Sequence, residues 1–187
     1  MRWVRNLFVP TLRDYLHDQL GKKADVFDDQ RLRDGPNFDE QLYDSLGASA
    51  LLVPVLTAAY FESDWCRREF AVMRERETQL GIRAEGDTRT LIIPVYLSGK
   101  ARFPESIRKM QWKDFWEYNN PDLAEGTARR ADFNDYLRAW SAQIVQAFEQ
   151  TRAFDSKYPA IRGSKFLEEL KPPTDALAAP TMLVSNA

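Results

Sequence analysis

The side chains best placed for chemistry fall in ten residues, Tyr60 to Glu69 (YFESDWCRRE). On a helix, Trp65 and Glu69 stand four apart and Cys66 and Glu69 three apart, so the three share a face. A carboxylate in a second helical turn, flanked by an indole and a thiol, is not the usual make-up of a solvent face. Two readings follow. The simpler packs Trp65 and Cys66 into a core and leaves Glu69 at its rim. The other presents Glu69 to a ligand, because this stretch directly follows an apolar strand. Ligands of open α/β sheets bind beyond the carboxyl ends of the strands. A second segment, Asp28 to Phe38 (DDQRLRDGPNF), leaves another expected strand at the same edge. It mixes charges with Leu32 and a Gly35-Pro36 turn. It reads either as a solvated loop or as a lid or partner-binding loop.

Other chemistries are poorly supplied. One Cys and one His exclude a disulfide framework and a zinc site built within one chain. A Cys–His nucleophilic pair has only Cys66 and His17 to draw on. No His lies near Cys66 in sequence, so Cys66 reads as a pocket or core residue and His17 as a surface residue. Lys and Arg total 26 against 28 Asp and Glu, a formal charge of −2. That balance gives no broad attraction to nucleic acid or an anionic membrane. No apolar run nears the ~18 residues of a membrane span. The opening MRWVRNLFVP lacks the apolar region of a signal peptide, so the expected location is the cytoplasm.

The elements that must position these residues follow from periodicity. Trp3 to Leu20 has helical spacing, interrupted at Pro10 and stopped at Gly21. Ala24–Asp28 is a short strand candidate, and Phe38–Gly47 returns to helical spacing. Ala50–Thr57 (ALLVPVLT) and Thr90–Leu97 (TLIIPVYL) are unbroken apolar runs, as in strands covered on both faces. Each has a central proline, which removes a ladder donor and predicts a local irregularity. Ser63 or Asp64 caps a helix over Trp65–Leu80. A turn of helix is expected at Pro104–Lys109, a short strand at Met110–Phe115, and an amphipathic helix over Ala131–Thr151. Arg67, Arg68, Arg74 and Arg76 on the third helix read most simply as a solvated face. The alternation predicts a parallel sheet with helices on both faces. Residues 1–158 form the domain, and 159–187, with Pro172-Pro173, read as a poorly ordered tail.

Taken together, these residues resemble the Toll/interleukin-1 receptor (TIR) domain family over roughly residues 1–150. Asp28, Leu32, Gly35 and Phe38 match the family's second strand and following loop (D-x-x-x-L-x-x-G, then Phe). ALLVPVLTAAYFESDWCRREF matches its third strand and helix, with the specific S-x-W-C-x-x-E core. The resemblance implies a flavodoxin-like α/β fold and one of two roles. Many members cleave NAD⁺ to nicotinamide and linear or cyclised ADP-ribose. Others are non-catalytic adaptors acting by TIR–TIR association. Bacterial members often act in defence signalling. The family's catalytic glutamate falls on Glu69. Trp65 and Cys66 would shape the pocket wall, Asp28, Leu32 and Phe38 would lie near the nicotinamide side, and Gly35 would belong to the same binding set. NAD⁺ enters as substrate, and no cofactor or metal is implied. Where members place an acidic residue after the loop leucine, this chain has Arg33. The flavodoxin-like fold also serves phosphoacceptor receivers, but those end the third strand in Asp, and this run ends Thr57-Ala58-Ala59.

One departure stands out. The family begins with a strand, F-[IL]-S-Y, at the centre of its sheet, whereas this sequence opens on the helix. The expectation is a flavodoxin-like sheet lacking its usual first strand, because an upstream start codon was missed, the gene is degenerate or the segment is rebuilt, the first being favoured. Its neighbours would be left without a shared partner, and the chain as given would be poorly active or unstable.

Overall fold

The computed structural model describes residues 2–23, 25–26, 38–82, 85, 87–120, 123–151 and 166–173, with the backbone alone for 38–42. The first helix opens as a π-helix, Val4–Phe8, and continues as α1, Val9–Leu20. Pro10 explains the change of winding. It has no N–H to give the carbonyl four residues back, and its ring would clash there. The wider turn avoids this, with the Val9 N–H bonding Val4 O. Gly21 ends α1 at φ +61°, the left-handed stop that the sequence predicts.

Then come α2 (Phe38–Ala48), β1 (Val55–Leu56), α3 (Asp64–Gln79), β2 (Val95–Tyr96), α4 (Glu105–Arg108), β3 (Lys113–Asp114) and α5 (Ala128–Thr151). Short 3₁₀ turns, Tyr60–Glu62, Lys100–Arg102 and Trp116–Tyr118, follow the three strands. The strands are parallel in the order β1-β2-β3. Helices cover both faces, the flavodoxin-like α/β arrangement.

The two prolines shape the ladder. Val55 pairs with Val95 and Leu56 with Tyr96, and an isolated bridge joins Leu52 to Ile92. All three pairs are offset by the same number of residues, so Pro54 and Pro94 lie side by side. Each keeps its acceptor: the Val95 N–H donates to Pro54 O at 2.9 Å and the Lys113 N–H to Pro94 O at 2.8 Å. Neither can donate. Regular pairing therefore begins just after them, and the eight-residue strands expected from the apolar runs shrink to two residues plus a bridge.

Side chains alternate across the sheet. Leu52, Leu56, Ile92 and Tyr96 face a core under α2, α3 and α4, with Phe61, Phe70, Met73, Phe103 and Ile107. Val53, Val55, Ile93, Val95 and Leu97 face a second core under α1 and α5. There Phe115 is the hub. Its ring lies 5.4 Å from Phe8, 5.4 Å from Trp140 and 5.0 Å from Tyr136, in edge-on arrangements.

Four expectations need amending. Of the strand expected at Ala24–Asp28, Asp25 and Val26 belong to no strand, and the other residues lie outside the described ones. The last helix starts at Ala128, three residues early, with Thr127 Oγ1 accepting from the Arg130 N–H. Part of the expected tail joins the domain, because Phe166, Leu167 and buried Leu170 pack on the α3 core. Finally, the arginines of α3 are not simply a solvated face. Arg76 is 1% exposed and donates to Leu46 O and Ser49 O, both at 2.8 Å. Periodicity sets it three residues from Met73, on the core side, where its charge meets the carbonyl end of α2. Among the described residues, no strand precedes β1, and β1 and β3 are the two outer strands with β2 between them. No described helix is long and apolar enough to cross a membrane.

Truncating the hub tests the second core. Phe115→Ala is expected to cost about 3–5 kcal/mol in chemical denaturation. A loss below about 1 kcal/mol would show that the aromatic cluster is not what holds α1 and α5 to the sheet.

Candidate functional site

β1 ends at Leu56, and Thr57 begins the turn that leads into α3. Thr57 O accepts the Tyr60 N–H at 3.0 Å, starting the Tyr60–Glu62 turn. Ser63 then caps α3, its Oγ accepting the Cys66 N–H at 3.4 Å. Asp64 is thus the first helical residue, and Ser63 is the cap of the two the sequence offered. Arg67 braces the junction from inside the helix. Its Nη1 donates to Phe61 O at 2.7 Å and its Nη2 pairs with Asp64. Arg102, after β2, reaches back to Glu62 at 3.0 Å.

The loop after β2 presses against the turn after β1. Gly99 has φ +76°, and a Cβ there would lie 2.5 Å from Ala58 Cβ and 2.7 Å from Ala58 Cα and N. Only glycine fits so close to backbone. The carboxyl ends of β1 and β2 are therefore locked together directly below the start of α3.

On α3 the three nominated residues share a face, as their spacing requires. Trp65 and Cys66 are half-buried and pack on the α3 core. The Arg68 guanidinium lies over the Trp65 ring, 5.3 Å from its centroid. Glu69 is half-buried and sits about 8 Å along the helix from its first residue. This is the packing of the simpler reading, with Trp65 and Cys66 against a core and Glu69 at its rim. The indole and thiol are core-facing, and Glu69 is neither sealed in nor fully in water. His17 is exposed on α1, which packs on the other face of the sheet from α3.

The structure does not bring the whole nominated set together. Asp28, Leu32 and Gly35 lie outside the described residues, and Phe38 is described only as the first backbone position of α2. What can be placed is the anchor of that helix. Arg76 ties the far end of α2 to α3, the helix that carries Glu69. Beside it Glu77, 1% exposed, accepts the Leu91 N–H at 2.8 Å and the Thr90 hydroxyl at 3.0 Å. The middle of α3 is thus tied to α2 and to the start of the β2 run.

Sequence reading missed two features of this edge. Thr57 is 8% exposed, and its hydroxyl makes no hydrogen bond among the described residues. A hollow of about 440 Å³ lies past β3, lined by Trp116, Glu117, Asn119, Asn120 and Arg129. It contains none of the nominated residues. Trp116, 56% exposed, stands out there as a large apolar side chain in water. Next to it burial, then the charges of Asp132 and Glu117, push the Tyr118 phenol above its ordinary range. Composition could flag the tryptophans but could not say which one was exposed. Among the described residues, no group of three or more His, Cys, Asp and Glu could hold a metal ion.

The family model described as TIR domain matches residues 3–129. No curated protein and no solved structure matches the chain.

The contact between loops predicts that Gly99→Ala destabilises by about 3 kcal/mol or more, from left-handed strain plus the clash with Ala58. Gly21→Ala is the control, since its φ is also positive at +61° but nothing lies within 4 Å. It should cost only about 1 kcal/mol. Equal losses in urea melts would mean that the Gly99–Ala58 contact contributes nothing.

Proposed function

The chain belongs to the TIR domain family, and from that premise we propose that it cleaves NAD⁺ at the nicotinamide–ribose bond. The products are nicotinamide and ADP-ribose, linear or cyclised. The observation that carries this reading is Glu69. It is the glutamate of the W-C-x-x-E motif, half-buried one turn past Trp65, on the helix that starts at the carboxyl edge of the sheet.

The chemistry suits one carboxylate. An O-glycosidase uses two, because its leaving group must be protonated. The nicotinamide of NAD⁺ carries a positive ring nitrogen. When the C1′–N bond breaks, the electron pair goes to that nitrogen and the base departs neutral. Positive charge then grows on the ribose carbon. A fixed carboxylate facing the ribose stabilises that charge as it develops and holds the hydroxyls beside it. Water adds its oxygen to C1′ and releases a proton. In the cyclising variant, a nitrogen of the adenine attacks instead. Half-burial of Glu69 strengthens its field at the ribose relative to a carboxylate in water. Trp65, Cys66, Asp28, Leu32, Gly35 and Phe38 form the proposed binding wall, with NAD⁺ as substrate and no cofactor. Defence signalling is the setting that bacterial relatives suggest for such NAD⁺ consumption.

Glu69→Gln keeps the shape of the side chain and removes its charge. It is expected to lower NAD⁺ turnover by about 10³-fold with an unchanged melting temperature. Equal NAD⁺ loss by Glu69→Gln, Glu69→Ala and the wild type sinks the enzyme reading.

A second reading has its own observation. TIR domains generally associate with one another, and an exposed indole such as Trp116 is a typical anchor of protein contacts. In this reading the chain acts by TIR–TIR association without catalysis. Trp116→Ala should then shift self-association to at least about tenfold higher concentration in light scattering. An unchanged concentration series removes Trp116 from any such contact.

A further inference from the structure

A short stretch beyond the last helix is seated on the far side of the sheet from that helix. α5 packs on the second core and ends at Thr151. Phe166, Leu167 and Leu170 instead pack on the first core, under the opposite face, with Phe70, Met73 and Ile107. Fourteen residues, 152–165, join the two places, a length that reaches at most about 50 Å. The seat is built for an amphipathic stretch. Leu170 is 3% exposed and Phe166 and Leu167 are half-buried, while Glu168, Glu169 and Lys171 are exposed. On α3, the Arg74 guanidinium lies 5.7 Å from the centroid of the Phe166 ring and pairs with Glu77 at 3.0 Å. On α4, the Ser106 hydroxyl donates to Glu169 O at 3.4 Å, across 63 residues of sequence. The TIR family match ends at residue 129, so this seating lies outside the matched pattern.

We propose that Phe166–Lys171 is a releasable strap, an internal peptide ligand that holds α3 and α4 in place while it is seated between them. A ligand that binds only the ordered state stabilises that state, and a tether gives it an effective concentration in the millimolar range. The strap grips α3 at Arg74, five residues and about 7.5 Å along the helix from Glu69. It also closes the core that Phe70 enters directly after Glu69. α1 and α5 belong to the other core and share none of these contacts. Release therefore loosens one layer and leaves the other intact, a sub-global opening. The seated strap fixes the helix that carries Glu69, and the released strap frees it. This control acts on the helix itself and does not depend on whether Glu69 cleaves NAD⁺.

The test follows amide hydrogen exchange without NAD⁺ in full chains of wild type, Leu170→Asp and Leu170→Ala. Leu170→Asp places a charge where the seat is apolar, so the strap leaves. Amides of α3 and α4 are expected to exchange at least about tenfold faster, with α1 and α5 within about twofold of wild type. Leu170→Ala opens a void without a charge and gives a smaller acceleration in the same two helices. A synthetic peptide of residues 166–173 (FLEELKPP), added at about millimolar concentration, brings α3 of the Leu170→Asp chain back to within about threefold of wild type. The same peptide carrying the Leu170→Asp change does not. Wild-type exchange in α3 of both variants overturns the proposal, because the stretch then holds nothing. Acceleration of α1 and α5 equal to that of α3, or a chain that fails to fold in both variants, overturns it as well, because the stretch is then an integral part of the fold. So does a peptide that leaves α3 of the Leu170→Asp chain unprotected.

Discussion

Two prolines in register decide how this small sheet is built. Pro54 and Pro94 occupy the same row of β1 and β2, because Leu52↔Ile92 and Val55↔Val95 share one offset. Each accepts a ladder bond and can give none. A row with acceptors but no donors weakens the middle of the sheet and confines regular pairing to its carboxyl end. That end is also where Thr57, the turn into α3 and Gly99 lie. What the ladder lacks is made up on the two faces. Apolar side chains alternate into two separate cores, and Phe103 and Phe115, both fully buried, anchor one core each. Burial of apolar surface, not strand pairing, is thus the main force fixing the strands relative to one another.

The site depends on that arrangement. A carboxylate that must face a ribose needs a helix held in both position and rotation. Ser63 fixes the start of α3, and Phe70 and Met73 fix its rotation by burying one face. Glu77 ties its later turns to the backbone of the β2 run. Glu69, between these anchors, takes its place from residues on both sides of it. Gly99 against Ala58 does the same for the floor beneath the helix start.

Most of this architecture was legible in the residues, for identifiable reasons. The helices over Phe38–Ala48 and Asp64–Gln79 follow from periodicity and, for the latter, a cap three residues before the N–H it accepts. The two apolar runs announced strands covered on both faces. Strand length was not legible, because the effect of each proline depends on the other lying beside it, and register is a property of the pair. Burial of Arg76 was also hidden. Four arginines on one helix look alike in sequence, and only the carbonyls at the end of α2, brought in by tertiary packing, separate Arg76 from Arg68. That the Thr57 hydroxyl has no partner among the described residues needed the fold, since a buried threonine just past a strand ordinarily finds one. The place of Glu69 on its helix was readable from spacing alone. Its half-burial was not.

Arg76 also links the two segments that drew attention at the outset. α2 begins at Phe38, immediately after the loop bearing Asp28, Leu32 and Gly35, and it ends where Leu46 O and Ser49 O meet the Arg76 guanidinium. That guanidinium is buried between two helices, so its charge is balanced there by the carbonyl dipoles of one helix end. Moving α2 away from α3 would strip the charge of these partners without returning it to water, which sets a steep resistance to separation. The helix after the loop and the helix carrying Glu69 therefore move as one body.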